Sequence, residues 1–225
     1  MPKAGSMSKA KLVIFDCDGV LVDTEEVSCR QFAAALAKEG IDWDVEKTMQ
    51  RLMGRSLATC VSLVEQEIGR HLPASFAEDL QVGTFQAFRD APIKPVEGIR
   101  HTLDVLVARG VPFCVASSGM VDKMQLTLGL TELWPYFDGR VFSASMVARG
   151  KPFPDLFLHA AQQMAKHPAD CVVIEDAVPG VTAARAAGMR ALAYAGAPYA
   201  DPGALRAAGG ELFEKMSDLP ELIGL

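Results

Sequence analysis

Short apolar runs alternate with amphipathic stretches through the second half of the chain. Runs rich in β-branched residues predict buried strands at residues 12–15, 111–116, 171–174 and 190–194, with shorter strands at 140–143 and 212–214. Helical periodicity predicts helices at residues 96–109, 120–128, 154–165 and 178–187. Strands that alternate with helices indicate βαβ units. We therefore expect an α/β fold with a doubly wound, Rossmann-like parallel sheet covered by helices on both faces.

Residues 24–92 interrupt this alternation. They contain helical patterns at residues 25–39, 45–53, 57–68 and 75–88 and no convincing strand. A connection of this length far exceeds the handful of residues that usually joins a strand to the next helix. We expect residues 24–92 to form an inserted α-helical cap domain, and residues 1–23 and 93–225 to form the core domain. The cap would lie as a lid beside the carboxyl end of the first strand.

The composition narrows the class of protein. The 225 residues carry 22 Lys and Arg and 28 Asp and Glu side chains, a formal charge of −6, so no basic excess attracts nucleic acid or anionic lipid. No run of about 18 apolar residues predicts a membrane span, and residues 1–7 lack the apolar stretch of a secretory signal. We expect a cytoplasmic protein without nucleic-acid or membrane partners, and a monomer.

The cysteines and histidines indicate neither a disulfide framework nor a zinc site. The five cysteines are scattered without C-x-x-C spacing, and the four histidines lack metal-ligand spacing. Two cysteines, Cys114 and Cys171, lie inside apolar runs and are most simply small core residues. A reduced cytoplasm fits this pattern best.

Ionisable and hydroxyl side chains gather where the predicted strands end. They are Asp16 and Asp18 after the first strand, Ser117 after the second, Lys151 beyond the third, and Glu175 and Asp176 after the fourth. Ligands of an open parallel sheet bind outside the carboxyl ends of its strands, so one shared site would use all six. Each also has an ordinary explanation: a turn Asp, a Ser as a helix N-cap, a surface Lys, or a solvated acidic pair. Their joint placement favours the shared site.

Phosphoryl transfer is the chemistry that uses these groups together. Carboxylate oxygens suit Mg²⁺, which keeps several waters and takes further ligands from a phosphate. A carboxylate can also be the nucleophile and form an aspartyl-phosphate, while a second acid protonates the leaving alkoxide. A lysine and a hydroxyl neutralise and orient the phosphoryl oxygens. Gly19 permits a tight turn that brings backbone amides near the phosphate.

These residues resemble the motifs of the haloacid dehalogenase superfamily, subfamily I, in its β-phosphoglucomutase-like branch with a helical cap. The motifs are Asp16-x-Asp18-Gly19-Val20-Leu21-x-Asp23-Thr24-Glu25, Ser117, Gly150-Lys151-Pro152-x-Pro154-Asp155 and Glu175-Asp176-Ala177-x-x-Gly180. The resemblance implies that Asp16 is the nucleophile and a Mg²⁺ ligand. It implies that Asp18 is the general acid and base and a metal ligand through its backbone carbonyl. It also implies that Ser117 and Lys151 bind the transferring phosphoryl group, and that Asp176, with Glu175 nearby, completes the metal site.

The resemblance also narrows the reaction. Dehalogenases and phosphonate-cleaving relatives carry another residue type at the position of Asp18, so Asp18 favours phosphate esters. The implied enzyme is a Mg²⁺-dependent phosphatase acting on a small phosphorylated metabolite, either a sugar phosphate or a sugar-acid phosphate. The alternative is a β-phosphoglucomutase-like sugar-phosphate mutase. Such a mutase usually has a His a few residues beyond the first motif, where this chain has Ser28, and Ser28 favours hydrolysis.

Four residues are predicted to bind the substrate: Gly19, Ser118, Arg55 and Glu25. Arg55 suits bidentate binding of a substrate anion, although an ordinary helix-end salt bridge explains it equally well. Glu25 either points toward the site or simply favours a helix N-terminus, with Thr24 as the cap of that helix.

Two other classes of protein compete with an active enzyme. Receiver domains also combine a doubly wound sheet with an acidic cluster, a Ser or Thr and a Lys, but they are far shorter and have no helical insertion after the first strand. A catalytically dead family member acting as a binding protein would be expected to lack Asp16, Lys151 or Asp176. All three are present, and this favours an active enzyme.

Overall fold

The computed structural model describes residues 10–90 and 93–225. Within them the strands are β1 (Leu12–Phe15), β2 (Val22–Asp23), β3 (Lys94–Pro95), β4 (Phe113–Ser117), β5 (Val141–Ser143), β6 (Cys171–Glu175), β7 (Arg190–Tyr194) and β8 (Glu211–Phe213). Six of these strands form one parallel sheet in the order β5-β4-β1-β6-β7-β8, and β2 pairs with β3. The predicted α/β fold with a parallel sheet is confirmed.

The helices of the described residues follow the same alternation. They are α1 (Glu25–Lys38), α2 (Val45–Leu52), α3 (Leu57–Ile68), α4 (Phe76–Asp90), α5 (Ile99–Ala108), α6 (Val121–Leu130), α7 (Trp134–Phe137), α8 (Asp155–Gln163), α9 (Val178–Ala186), α10 (Pro202–Ala207) and α11 (Leu219–Leu222). Every predicted helix is confirmed, whereas α7, α10 and α11 were not predicted because they are too short to show a period. None of the helices in the described parts of the chain combines the length and apolar character needed to cross a bilayer.

The central strand β1 contacts two apolar layers because its side chains alternate between the faces of the sheet. Val13 and Phe15 join a cluster that includes residues of α5 and α6, and Leu12 and Ile14 join the opposite cluster with residues of α8 and α9. All four side chains are fully buried, as expected for a parallel strand covered on both faces. The rigid centre of the sheet therefore fixes the residues that follow β1.

Helices α1 to α4 form the helical segment, residues 25–90, which has an apolar cluster of its own. Phe32 and Val64 are two of its buried members. The side chains of Asp44 and Ser56 cap α2 and α3 by accepting a backbone N–H of the first turn. The helical segment thus has an apolar core of its own and side-chain caps on two of its helices.

β2 and β3 lie where the chain enters and leaves this segment. They pair antiparallel, with Val22 opposite Pro95 and Asp23 opposite Lys94. This ribbon was not predicted, because two-residue strands show no period. The division into a core (1–23 and 93–225) and a cap (24–92) stays a prediction. The residues 1–9, 91 and 92 that it includes lie outside the described residues.

Candidate active site

Asp16 begins the loop that leaves the carboxyl end of β1. Its backbone N–H donates to the carbonyl of Ile174 on β6 at 2.9 Å, so the sheet itself fixes its position. Gly19 turns the loop back, and its N–H donates to the carbonyl of Val22 at 2.8 Å. At Gly19 φ is +76°, and a Cβ atom there would lie 1.9 Å from Oδ2 of Asp176. Only glycine therefore lets this loop pass so close to Asp176.

Lys151 is buried between two carboxylates. Its Nζ atom lies 2.6 Å from Oδ1 of Asp16 and 2.6 Å from Oε1 of Glu175. Burial disfavours the ammonium form, but the two carboxylates outweigh burial and raise the pKa of Lys151. Only 4% of Lys151 is exposed, which excludes the alternative of a surface lysine. The charged lysine joins the loop after β1 to the end of β6.

Asp16, Glu175 and Asp176 form an acidic cluster beside this lysine. Each offers one carboxylate oxygen, and these oxygens lie within 4.8 Å of one another. Burial raises the pKa of Asp176 well above its usual range, and Glu175 adds to the effect. Burial also raises the pKa of Asp16 to about 7, against the opposing charge of Lys151. One lysine therefore does not balance the three carboxylates, and a cation among them would favour their ionised forms.

Two further observations concern the fit of a divalent cation to this cluster. Oδ2 of Asp176 is buried and has no hydrogen-bond partner among the described residues. Both oxygens of Glu175 are occupied, since Oε2 accepts the N–H groups of Asp176 and Ala177 at 3.1 Å and Oε1 accepts from Lys151. Hard carboxylate oxygens, one of them unpartnered, are a donor set that suits such an ion. Asp16 and Asp176 could hold the ion directly, and Glu175 orients the groups around it.

The carboxylate of Asp18 contacts two donors, Thr24 and Lys123. Its Oδ1 atom accepts a hydrogen bond from Oγ1 of Thr24 and lies 2.9 Å from Nζ of Lys123. Burial would raise the pKa of Asp18, but the charge of Lys123 and the hydroxyl of Thr24 outweigh it and lower the pKa. Thr24 occupies the N-cap position of α1, as predicted, but its side chain makes no capping hydrogen bond and donates to Asp18 instead.

Lys123 was not predicted as a site residue. It lies in the first turn of α6, a stretch that the sequence marks only as a helix. Burial opposes its charge, but Asp18 and Glu25 outweigh burial and raise the pKa of Lys123. One signal was available: the first turn of a helix disfavours a positive charge, so a lysine there calls for a nearby anion.

The loop after β4 brings two serines to the same edge of the sheet. Ser117 is not the N-cap of α6, because Met120 takes that position. Oγ of Ser117 instead accepts the backbone N–H of Gly119 at 3.0 Å. The hydroxyl of Ser118 donates to the carbonyl of Gly54 at 3.1 Å and so contacts the helical segment. The N-cap alternative for Ser117 is therefore excluded.

A cavity of about 170 Å³ lies between the sheet edge and the helical segment. Its lining includes Asp16, Asp18, Ser117, Ser118 and Lys123 from the sheet side. The helical segment contributes the polar residues Glu25, Ser28, Thr48, Arg55, Gln81 and Thr84 among apolar side chains such as Phe32, Leu52 and Leu80. Lys151, Glu175, Asp176 and Gly19 are not part of this lining. The volume suits a small metabolite rather than a single water.

Three polar groups of the cavity wall can interact with a ligand: a hydroxyl without a hydrogen-bond partner, an arginine without a salt bridge and a neutral carboxyl. Oγ of Ser28 is buried without a hydrogen-bond partner in the described chain. Arg55 forms no salt bridge with any described residue, so the helix-end salt bridge is not found. Burial, aided by Asp18, raises the pKa of Glu25 to about 8, so this carboxyl is mostly neutral at pH 7 and can donate a hydrogen bond. All three groups are available to a ligand.

Known proteins are similar in sequence to most of this chain. A model of the haloacid dehalogenase-like hydrolases matches residues 10–188. The 6-phosphogluconate phosphatase of Escherichia coli is 32% identical, with 96% of each chain covered. A fructose-1-phosphate phosphatase of the same organism is 32% identical over 80% of this chain and 94% of its own.

A solved structure agrees with these sequence matches. It is a conserved haloacid dehalogenase-like protein of unknown function from Agrobacterium tumefaciens, 34% identical, with a TM-score of 0.79 over 95% of this chain and 97% of its own. The resemblance drawn from the motifs is confirmed. The chain belongs to the haloacid dehalogenase-like hydrolases, as a phosphoric monoester hydrolase.

Proposed function

We infer that the chain is a Mg²⁺-dependent phosphatase that hydrolyses a sugar phosphate or a sugar-acid phosphate through an aspartyl-phosphate. The observation that carries this inference is the convergence of Asp16, Lys151 and Asp176 at the carboxyl ends of β1 and β6. Asp16 also lines the cavity, where a bound phosphate ester would meet its carboxylate.

The reaction divides into two displacements at phosphorus. The carboxylate of Asp16 attacks, the bond to the ester oxygen breaks, and Asp18 gives its proton to that oxygen. The incoming phosphate adds negative charge beside Asp18, which favours the protonated form that this step requires. Asp18 then takes a proton from a water that attacks the aspartyl-phosphate, so that Asp16 and inorganic phosphate are released. Lys151 and Ser117 bind the phosphoryl oxygens through both steps.

The metal site is assigned to residues of the same loops. Asp16, Asp176 and the backbone carbonyl of Asp18 would hold Mg²⁺, with Glu175 beside them. When bound, the ion neutralises charge on the phosphoryl oxygens. The unpartnered Oδ2 of Asp176 supports this assignment, because a buried carboxylate oxygen without a donor is costly unless a cation occupies the site.

The cavity wall supports a polyhydroxylated substrate. Ser28, Gln81 and Thr84 offer neutral polar groups, and the neutral carboxyl of Glu25 adds a donor. Arg55 provides a planar cation suited to a carboxylate, which a sugar acid would bring. The names of the two Escherichia coli relatives, phosphatases of 6-phosphogluconate and of fructose 1-phosphate, point to the same two substrate classes.

The helical segment acts as a cap in this proposal. Residues 24–92 would close over the core (1–23 and 93–225), and Ser118 and Gly54 mark the contact between the two. Closure excludes bulk water from the aspartyl-phosphate and leaves room for the one water that attacks it. The monomeric state and the cytoplasmic location stay predictions.

A sugar-phosphate mutase is the alternative reaction for this site. It would have to retain a bisphosphorylated intermediate while that intermediate turns over inside the closed cap. Ser28 lines the cavity where such mutases usually have a His, and a hydroxyl cannot exchange protons near neutral pH as an imidazole can. Hydrolysis is therefore the favoured reaction.

Phosphate release from a panel of monoesters tests the proposal. The panel includes 6-phosphogluconate, fructose 1-phosphate, and β-glucose 1-phosphate with a trace of the bisphosphate, each with Mg²⁺ and with chelator. We expect Mg²⁺-dependent release concentrated on a few substrates. Isomerised sugar phosphate without released phosphate would identify a mutase, and equal release with chelator would remove Mg²⁺ from the mechanism.

A further inference from the structure

Lys123 has a role that the motifs do not assign. Building on the proposed function, we propose that Lys123 is a positioning residue. Together with Thr24 it fixes one oxygen of Asp18, so that the other oxygen faces the ester oxygen of the substrate.

The two donors meet at the same atom. Oδ1 of Asp18 accepts from Oγ1 of Thr24 and lies 2.9 Å from Nζ of Lys123. The other oxygen, Oδ2, lies near Gly119. A Cβ atom built on Gly119 would lie 3.7 Å from Oδ2 of Asp18 and 3.4 Å from Oγ of Ser117. Oδ2 of Asp18 and the proposed phosphoryl-binding hydroxyl therefore face the same small space, and both residues line the cavity.

The side chain of Lys123 is itself confined. Its Cδ atom would lie 3.4 Å from a Cβ atom on Gly119, and its Nζ atom lies 5.7 Å from the ring centroid of Phe88 on α4. Its side chain is 21% exposed, against 44% for Lys47 on α2. A lysine held between a loop and an aromatic ring keeps its ammonium in one place, which an exposed lysine does not.

Orientation matters because the proton transfer is directional. The proton on Oδ2 of Asp18 must pass to the ester oxygen as the bond from that oxygen to phosphorus breaks. The leaving group then departs as a neutral alcohol, and Asp18 remains as a carboxylate. Misplacing a reacting group by about 1 Å can cost about a hundredfold in rate. Two donors on Oδ1 restrict the rotation that would misplace Oδ2.

The test compares two leaving groups, because only one of them needs the proton. An alkoxide leaves poorly without protonation, whereas nitrophenolate leaves as a stable anion. The alkyl ester is the sugar phosphate turned over fastest in the panel, and the aryl ester is p-nitrophenyl phosphate. The measured quantity is kcat/KM, which covers the steps up to release of the leaving group.

We expect Lys123→Met to lower kcat/KM for the sugar phosphate about tenfold more than for p-nitrophenyl phosphate. A tenfold difference is a modest share of the rate that a general acid contributes. Thr24→Val removes the other donor and should show the same dependence to a smaller degree. Lys123→Arg keeps a charged donor and should restore part of the ratio. Lys47→Met, which removes an exposed lysine of the helical segment, should leave both values unchanged.

Equal decreases in kcat/KM for the two esters would overturn the proposal, since they would mean that Lys123 binds the phosphoryl group or supports the fold. An unchanged rate for the sugar phosphate would overturn it as well. If Lys123→Met does not fold, as judged by circular dichroism, Thr24→Val and Lys123→Gln carry the same comparison. A wild-type protein that hydrolyses neither ester would remove the proposed function itself, and this outcome is distinct from an unchanged ratio in an active enzyme.

Discussion

Oδ1 of Asp16 and Nζ of Lys151 lie 2.6 Å apart although 135 residues separate them in sequence. One side chain follows the central strand of the sheet, and the other precedes α8. The contact neutralises part of the charge on the carboxylate and restricts its rotation, because Lys151 is anchored to Glu175 at the same distance. In the proposed reaction, this contact limits the directions from which the Asp16 carboxylate can approach phosphorus.

Asp16→Asn should abolish turnover, with a loss of at least about a thousandfold, because an amide is not a nucleophile for phosphorus. Phosphate release from the best substrate measures the effect. Asp170→Asn, at a half-buried acid paired with Lys11, should keep the wild-type rate. Near wild-type activity in Asp16→Asn would rule out the aspartyl-phosphate mechanism.

Asp18→Asn should slow breakdown of the aspartyl-phosphate, because the attacking water loses its base. We expect kcat to fall about a hundredfold or more. Acid quenching followed by intact-protein mass measurement should show phosphorylated protein accumulating during turnover. If neither formation nor breakdown of the phosphorylated protein changes, Asp18 has no role as acid or base.

Arg55→Ala should raise KM for a sugar-acid phosphate more than for a neutral sugar phosphate. A hydrogen-bonded charge pair contributes about 1.5–3 kcal/mol, which corresponds to a tenfold or larger increase in KM for the acid. Arg51→Ala is the matched control, since Arg51 lies in the same helical segment but pairs with Glu67. Parallel changes for both substrates would show that Arg55 does not bind a second anion.

Gly19→Ala should destabilise the protein and weaken Mg²⁺ binding, because the new methyl would lie 1.9 Å from Oδ2 of Asp176 at a left-handed φ. Gly40→Ala has the same backbone cost, about 1 kcal/mol, at a φ of +74° but meets no atom within 4 Å. Thermal unfolding with and without Mg²⁺ separates the two effects. Identical behaviour of the two variants would mean that the loop moves aside without loss.

The neutral carboxyl of Glu25 makes stability depend on pH. Its folded pKa of about 8 lies above the ordinary value of 4.5, so between these values the folded state binds more protons than the unfolded state. The free energy of unfolding should therefore fall as pH rises from about 5 to 8, by up to about 1.4 kcal/mol per pH unit. Denaturant titrations in chelator at several pH values measure this slope.

Glu25→Gln should reduce that slope, because an amide does not titrate, while Asp16 and Asp176, whose pKa values burial also raises, contribute a remainder of the same sign. Glu26→Gln is the control, since Glu26 is the next residue and its side chain is 67% exposed. An unchanged slope in Glu25→Gln would show that other groups cause the pH dependence.

The longer elements and the residues that directly follow strands could be predicted from the sequence because each depends on local patterns. A buried run such as residues 12–15 predicts its strand, and the residue after it must lie at the sheet edge. Asp16 and Asp176 follow from that rule without knowledge of any contact, whereas Lys151 lies well beyond the end of β5 and is assigned from its motif.

The partners of these residues could not be predicted in the same way. Lys123 meets Asp18 only because α6 packs beside the first loop, and Thr24 donates to that same carboxylate in place of making a capping hydrogen bond in α1. Such contacts depend on how distant elements pack, and helical periodicity contains no information about them. The available signal at Lys123 was electrostatic rather than periodic.

The contact between Ser118 and Gly54 does not depend on the type of side chain at position 54. Ser118 donates to a main-chain oxygen, which every residue type possesses. Gly54 itself cannot vary freely, since a Cβ atom there would lie 2.5 Å from Cβ of Ala177. Under the proposed function, substitutions elsewhere on the cavity wall would therefore change the accepted metabolite without removing this contact between the helical segment and the loop after β4.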